Sequence, residues 1–216
     1  MRDTFHDELD QIGTELVDMS RMVASAMSRA TSALLDADIA LAEEVISDDE
    51  RVDETYRDLD DRALDVLARQ QPVATDLRTI VTTLRIIADL ERMGDLAQHI
   101  AKVARMRYPQ SAVPPELQST IRDMGTVAGK VIAKAGAVIA TQDASTAIEL
   151  EKDDDAMDTL HRKLFATLLS DEWAHGVEPA IDITLIGRYY ERFADHAVSV
   201  ARRVVYLVTG EMPVAL

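Results

Sequence analysis

Pairs of acidic residues that lie four positions apart are the feature of this sequence that could do chemistry. Glu91 and Asp95 form one such pair, and Glu191 and Asp195 form another pair 100 positions later. Residues four apart are neighbours on a helix, so each pair holds two like charges together at a cost of roughly 0.2–0.5 kcal/mol. Carboxylates held this close are typical ligands of hard divalent cations.

The repetition of these pairs matters more than any one of them. With 39 acidic residues in 216, roughly seven pairs of this spacing are expected by chance. Asp49 and Asp53 form a further pair, which recurs 105 positions later as Asp154 and Asp158. Two kinds of acid pair are therefore each present twice, at corresponding places in the chain.

The apolar residues beside each pair predict where the carboxylates point. Leu90, Met93 and Ala97 recur at spacings of three and four, which is the pattern of a buried helix face. At 100° per residue, Glu91 and Asp95 point roughly away from that face. We therefore expect the acid pairs to be accessible to solvent, and adjacent helices to bring two pairs towards each other.

Long helices are the elements that must position these carboxylates. The chain has only 8 Gly, 6 Pro and 4% aromatic residues, fewer than the turns and strands of a sheet would need. Pro115 suits a first helical turn, and Gly176 suits a C-terminal cap after His175. The periodicity predicts six helices, at residues 4–35, 37–69, 74–107, 115–141, 143–171 and 177–209.

A duplication organises these helices. A Pro-rich break at 107–116 lies near the middle of the chain, and a shift of 105 places Met19 on Met124 and Asp38 on Asp143. A shift of 100 matches the third predicted helix with the sixth. The sequence therefore predicts an all-α protein of two tandem three-helix bundles related by internal duplication, with repeats at 1–109 and 115–216.

Charge and composition narrow the classes of partner. The formal net charge is -16, which repels nucleic acid and anionic lipid. The chain has no cysteine, so disulfides and thiolate metal sites are excluded. We expect no signal peptide and no membrane-spanning helix, and hence a cytoplasmic protein without direct membrane insertion.

Metal ions and arginines are the two candidate partners of the acids. Carboxylates that converge from two helices repel unless cations lie between them, and such oxygen ligands suit magnesium, manganese, calcium or iron, and zinc less typically. His99 lies one turn beyond Asp95 and could add a nitrogen ligand, whereas Ser199 takes its place in the second repeat. Alternatively, Arg92 and Arg192 neutralise the acids on a solvated face.

Other motifs give no support for catalysis. Glu172 and His175 form one E-x-x-H motif, but a di-iron bundle needs two of these and two further Glu residues. We interpret this motif as capping or chance, His161 as a surface residue and Trp173 as local packing. No Gly-rich phosphate loop, H-E-x-x-H or G-x-S-x-G motif occurs.

Three stretches of the chain carry a resemblance to a known family. They are FHDELDQIGTELVDM (5–19), ATDLRTIVTTLRIIADLERMGDLAQHIAK (74–102) and ERFADHAVSVARRVVYLVTG (191–210). They resemble the PhoU family of phosphate-signalling proteins, and the E-R-x-G-D-x-A element is the more specific part. Ala194 departs from the Gly94 of the first copy, and Asp89 stands where an asparagine is usual, which predicts an altered contact beside the metal ligands.

The resemblance implies a fold and a site. By it, the chain folds as two similar three-helix bundles, forms a homodimer and carries metal ions on its acidic faces. The ions implied are iron, zinc, magnesium or manganese. The ligands that the resemblance implies are Glu91, Asp95, Glu191, Asp195, Asp49, Asp53, Asp154 and Asp158.

The resemblance also implies a role. It is that of a non-enzymatic negative regulator of the phosphate regulon and of phosphate uptake. Such a regulator couples the phosphate ABC transporter, through its ATPase subunit, to a membrane sensor histidine kinase. Two alternatives stay open, namely a carboxylate-bridged metalloenzyme and a purely structural helical adaptor whose acids only confer solubility.

Overall fold

Six α-helices form the protein, in the number and order that the sequence predicts. The computed structural model describes the backbone of residues 2–211 and the side chains of residues 7–150 and 152–211, so residue 1 and residues 212–216 of the predicted repeats lie outside it. A short 3₁₀ turn, Pro115–Leu117, precedes the fourth helix, and no strand occurs between residues 2 and 211. The helices are α1 (Arg2–Asp36), α2 (Ile39–Gln70), α3 (Ala74–Arg107), α4 (Gln118–Thr141), α5 (Ala144–Leu168) and α6 (Val177–Thr209).

Corresponding residues begin the second helix of each repeat. The Asp38 carboxylate accepts a hydrogen bond from the backbone N–H of Leu41 at 3.0 Å, and the Asp143 carboxylate accepts one from the N–H of Ser145 at 2.9 Å. These bonds satisfy backbone donors that have no partner within the helix. The duplication detected in the sequence therefore extends to the helix caps.

The turn between α5 and α6 differs from the prediction. Helix α5 ends at Leu168 and not at residue 171, and Gly176 is the residue that precedes α6 and not a C-terminal cap. Gly176 has φ 82° and ψ -169°, a conformation that only glycine adopts readily. Its carbonyl oxygen accepts a hydrogen bond from the Trp173 indole at 2.8 Å. Gly176 is thus part of the turn between α5 and α6 and does not cap α5.

One hydrophobic core runs through both bundles. In the first bundle α1, α2 and α3 pack together, in the second α4, α5 and α6 do so, and α1 also packs on α4 while α3 packs on α6. Met19 and Met124, which the duplication relates, are both fully buried in this core, together with Tyr190 and Phe193. The first and third helices of each repeat are therefore central, and α2 and α5 lie outside them.

The fourth helix is the most apolar part of the chain. By length and composition, Pro115–Thr141 could cross a membrane, with a mean hydropathy of 1.2 over its best window. In the structure 44% of that window is buried, and α4 packs against α1, α5 and α6. A core helix can have the same length and composition, so these two properties alone do not show a membrane span.

A buried carboxylate joins the two repeats. Asp89 on α3 is buried, and its two oxygens contact α6, with His196 Nδ1 at 3.0 Å and Arg203 Nε at 2.6 Å. Two residues along a helix turn Asp89 about 200° away from Glu91, so its carboxylate faces α6. The altered contact beside the metal ligands that the resemblance implies stays a prediction.

Loss of the Asp89 carboxylate should weaken the contact between repeats. Asp89→Ala leaves the largely buried cationic group of Arg203 and the His196 ring without their acceptor, so we expect the free energy of unfolding to fall by about 1–3 kcal/mol. Urea denaturation followed by circular dichroism measures this change. Asp65→Ala is the control, because Asp65 forms an exposed pair with Arg69 and its loss should change stability much less. Equal losses in the two variants would contradict the assignment.

Candidate metal centres

The eight predicted ligand residues gather into two clusters, one in each repeat. The first acidic cluster lies between α2 and α3, where the charges of Asp53 and Asp95 act on Asp49 and those of Asp49 and Asp53 act on Glu91. The second lies between α5 and α6, where Asp158, Glu191 and Asp195 act on Asp154. The pairs on adjacent helices therefore lie close enough for their charges to interact, and metal binding by them stays a prediction. The first acidic cluster comprises Asp49, Asp53, Glu91 and Asp95, and the second comprises Asp154, Asp158, Glu191 and Asp195.

Asp49 has the largest pKa shift in the first acidic cluster. Removal from water, and then the charges of Asp53 and Asp95, raise its pKa from 3.8 to about 6. The pKa of Glu91 is raised as well, first by burial and then by Asp95. Ionised carboxylates in this cluster therefore lack sufficient positive charge nearby.

Asp49 is buried, which contradicts the expectation that all the acids face solvent. Its exposed fraction is 7%. Gly94 on α3 explains the burial, since a Cβ atom there would lie 3.0 Å from Val52 Cγ1 and 3.2 Å from Asp49 Oδ1. The missing side chain lets α2 approach α3 closely, and this approach covers the carboxylate. Ala194 takes this place in the second repeat.

The second acidic cluster repeats the electrostatics with a more open geometry. Burial, followed by the charges of Asp195 and Asp158, raises the pKa of Asp154 to about 6. Asp195 itself is exposed and Glu191 is half-buried. Desolvation is thus the largest cause in both repeats, and the neighbouring carboxylates add to it.

Arginines already neutralise part of this charge. Arg92 donates a hydrogen bond to Asp95 at 2.6 Å, as the arginine alternative predicts. In the second repeat the donor is Arg188, which pairs with Glu191 from one turn earlier on α6. The sequence had indicated Arg192 for this role. Both pairs are short-range contacts along one helix, so they leave the α2–α3 and α5–α6 repulsions in place.

The two histidines near the clusters make different contacts from those expected. His99 Nδ1 lies 2.6 Å from the backbone oxygen of Asp95, and its ring packs against Tyr189 with the ring centroids 5.2 Å apart. His161, interpreted as a surface residue, is half-buried beside Gly187, and its Nε2 atom has no hydrogen-bond partner among the described residues. The charged neighbours of His161 in the sequence hid this burial.

The E-x-x-H motif is not a paired metal ligand set here. The His175 ring lies 2.5 Å from Glu116, which belongs to the turn before α4, and it packs edge-on against Trp173 with the ring centroids 4.9 Å apart. His175 therefore ties the α5–α6 turn to the start of the second repeat.

The clusters fit a hard cation in chemistry but not as closed sites. Their donors are carboxylate oxygens, the ligands that magnesium, manganese and calcium prefer. Across residues 7–150 and 152–211, no three His, Asp or Glu side chains lie close enough together to hold an ion as they stand. A cation would therefore require these side chains to turn towards one another and Asp95 and Glu191 to leave their arginines.

Comparison with known proteins gives consistent matches over the full length. The sequence profile of the PhoU domain matches residues 16–104 and again residues 121–204. The chain is 47% identical over 213 residues to the phosphate-specific transport system accessory protein PhoU homolog 2 of Mycobacterium tuberculosis (strain H37Rv), covering 99% of this chain and 100% of that relative.

Two solved structures confirm the predicted fold. The crystal structure of PhoU from Pseudomonas aeruginosa superposes with a TM-score of 0.86 at 31% identity, covering 96% of this chain and 100% of that one. The phosphate transport system regulatory protein PhoU from Streptococcus pneumoniae gives a TM-score of 0.87 at 25% identity and covers 98% and 100% of the two chains. The all-α fold of two three-helix bundles is therefore shared.

The raised pKa of Asp49 predicts how stability depends on pH. In the unfolded chain this carboxyl group ionises near pH 3.8, but in the folded protein near pH 6, so between these values the folded state binds more protons and stability falls as pH rises. Asp49→Asn removes this effect. We expect the variant to gain about 1–3 kcal/mol relative to wild type between pH 4 and pH 8, measured by urea denaturation in metal-free buffer.

A matched control separates this effect from general charge removal. Asp58→Asn also removes one acid from α2, but at an exposed position outside the cluster. Its curve of stability against pH should run nearly parallel to that of the wild type. If the Asp49→Asn curve were parallel to the wild type as well, the assigned burial and repulsion at Asp49 would be wrong.

Proposed function

The chain belongs to the PhoU family, and we propose that it is an accessory protein of phosphate transport that negatively regulates phosphate uptake and the phosphate regulon. The observation that carries this proposal is the near-complete match to relatives named phosphate-specific transport system accessory proteins. The match includes both repeats, so the whole architecture of those relatives is present here.

The proposed mechanism couples two membrane systems through a protein surface. In it, the chain acts in the cytoplasm as a homodimer and contacts the ATPase subunit of the phosphate ABC transporter and the cytoplasmic part of a sensor histidine kinase. At high phosphate it holds the kinase in its inhibitory mode and restrains transport. Long helices with exposed faces suit helix-on-helix docking, which is a common way to recognise helical partners.

We further propose that this role is not enzymatic. The charged groups at the centre of the two clusters are carboxylates, and Asp95 and Glu191 pair with arginines instead of activating a nucleophile. A carboxylate-bridged metalloenzyme, the first alternative, would place its ligands inside the bundle core. The core described here is lined by apolar residues such as Leu90, Met93 and Phe193.

Cations on the acidic clusters would strengthen the regulatory surface. Asp49, Asp53, Glu91 and Asp95 would hold an ion in the first repeat, and their counterparts in the second repeat are Asp154, Asp158, Glu191 and Asp195. A bound cation supplies positive charge between two helices that otherwise repel. Magnesium, manganese, iron or zinc meets this requirement, and the donor set favours the harder ions.

Metal binding predicts a specific gain in thermal stability. At about 100 times its dissociation constant, a ligand of the folded state adds roughly 2.7 kcal/mol, which raises the melting temperature of a chain of this size by about 5–10 °C. We expect this shift with Mn²⁺ or Mg²⁺ in the wild type and its loss in the double variant Asp95→Asn, Asp195→Asn. Differential scanning calorimetry after chelation and reloading measures it.

The matched control for this experiment is the double variant Glu43→Gln, Glu44→Gln. It removes two exposed acids of α2 that lie outside the first acidic cluster, so it should retain the metal-dependent shift. The structural adaptor, the second alternative, predicts no metal-dependent shift in any of the three proteins. That result would contradict the proposed metal binding but would not affect the family assignment.

Deletion in the host tests the regulatory role directly. A strain that lacks this chain should produce alkaline phosphatase at high phosphate, because the kinase would no longer be held in its inhibitory mode. Reintroduction of the wild-type chain should restore repression. Normal repression in the deletion strain, with no paralogue present to compensate, would refute the proposed negative regulation.

A further inference from the structure

An apolar groove lies where α5 ends and α6 begins, outside the acidic clusters. Its volume is about 530 Å³, and it is bounded by the side chains of both helices and of the turn between them. We call it the α5–α6 groove. Its lining residues are Phe165, Leu168, Leu169, Trp173, Ile181 and Leu185, together with residues 176, 177, 180 and 184.

The residues of this groove are unusually exposed for their type. Leu169 is 82% exposed, Val177 76% and Ile181 53%, and Phe165 and Leu185 are exposed as well. Single exposed apolar residues are ordinary, but a contiguous apolar patch of this kind marks a site of interaction. The groove is therefore a candidate binding surface.

The first repeat shows what occupies the corresponding place there. Leu168, Ala180 and Thr184 line the groove at positions that the duplication equates with Ala63, Ile80 and Leu84. In the first repeat these three residues belong to a small cluster on which Leu9 of α1 packs. Helix α1 thus covers this part of the first bundle through Leu9.

Between residues 107 and 211, no helix takes the place of this segment of α1 in the second repeat. Helix α1 has 35 residues, whereas α4 has 24 and begins at Gln118, which corresponds to Gly13. The counterpart of Leu9 is Pro114, which lies before the short 3₁₀ turn. Leu168, Ala180 and Thr184 therefore lack the helix that packs on their counterparts in the first repeat.

The charged residues beside the packed apolar residues differ between the two bundle ends. In the first repeat the covering helix is acidic, and Glu8 and Glu15 pair with Arg69 and Arg62 of α2. In the second repeat the turn beside the groove carries the exposed acids Asp171, Glu172 and Glu178, the last of which also pairs with Arg107. An occupant with acidic flanks suits the first bundle end, and one with basic flanks suits the second.

We propose that the α5–α6 groove binds an amphipathic helix of a partner protein, with basic residues placed over the acidic turn at 171–178. This deepens the proposed function, since it assigns a surface and a partner chemistry to the docking on which that function rests. The part of α6 that lines the groove runs from 177 to 185, roughly 12 Å, so two to three turns of the partner helix would fill it.

Charge argues against a second copy of this chain as the occupant. The acids Asp171, Glu172 and Glu178 lie beside the groove, and the α1 segment that packs on the first bundle end is itself acidic. Self-docking would place like charges of two copies against each other, which costs several kcal/mol at an interface. An acidic surface also repels anionic lipid, which disfavours a membrane as the occupant.

Two synthetic helical peptides test the proposal with the intact protein. Each is about sixteen residues long, roughly 24 Å as a helix, and carries the same leucine stripe. One has lysines at the flanks and the other glutamates. The single tryptophan of the chain, Trp173, lines the groove, so its fluorescence reports occupancy. We expect saturable one-to-one binding of the lysine peptide, about tenfold or more tighter than that of the glutamate peptide.

The first repeat supplies a variant that should close the groove without loss of folding. Asp60 and Arg85 hold the places of Phe165 and Leu185 there, so Phe165→Asp with Leu185→Arg introduces residues that the same architecture already tolerates. The control is Ile148→Ser, which removes an exposed apolar residue far from the groove on α5. The double variant should lose peptide binding at least tenfold, and the control should keep it.

Several results would overturn the proposal. They are equal binding of the two peptides, unchanged binding to the double variant, or absence of binding to the wild type. Sedimentation equilibrium decides about a second copy, because a wild-type dimer that the double variant dissociates would identify the groove as a self-association surface. These measurements use no host, so they can fail while repression at high phosphate holds, and the reverse is also possible.

Discussion

Packing between the repeats is the constraint on which the rest of the structure depends. Helix α3 packs on α1 and α2 within its own bundle and on α6 of the other, and α6 is placed in the same way between α5, α4 and α3. Most of the circumference of each helix is therefore apolar, as the buried residues of α3 show. The remaining face looks towards α2 or α5, and the acids are concentrated there. The repulsion between carboxylates of α2 and α3, and between those of α5 and α6, is thus a consequence of a core shared by both bundles.

Periodicity and duplication predicted most of this arrangement because they are local properties of the chain. The three- and four-residue spacing of Leu90, Met93 and Ala97 indicates a helix whatever its neighbours are, and the shifts of 105 and 100 indicate which helices correspond. The convergence of the acid pairs then follows, because corresponding helices have corresponding neighbours. The family resemblance added the ligand set and the role, neither of which can be predicted from the spacing of residues.

The failures occurred where a contact joins residues far apart in sequence. The burial of Asp49 depends on Gly94 of another helix, and the pairing of Asp89 depends on His196 and Arg203 of the other repeat. The turn at Gly176 differs from the prediction because a glycine after a helical pattern usually ends that helix, whereas this one precedes the next helix. Helix angles alone fix the direction of a side chain but not what lies in that direction.

The two repeats have diverged in ways that suit different tasks. The first has the glycine that buries Asp49, and its long α1 packs Leu9 on Ala63, Ile80 and Leu84. The second has Ala194, an exposed Asp195 and an uncovered groove. Duplication supplies two copies of one bundle. An accessible groove in one copy is enough to give the protein a docking surface.

The second acidic cluster and the α5–α6 groove lie on the same pair of helices. Leu185 and Glu191 are six residues apart on α6, roughly 9 Å, and Arg188 stands between them and pairs with Glu191. Under the proposed function, Asp154 and Glu191 would hold the cation, and Glu191 would then release Arg188. Both changes reach the groove within two helical turns, since its walls are the same two helices. Cation occupancy and partner docking would then be coupled by a reciprocal free energy, each raising or lowering the affinity for the other by the same factor.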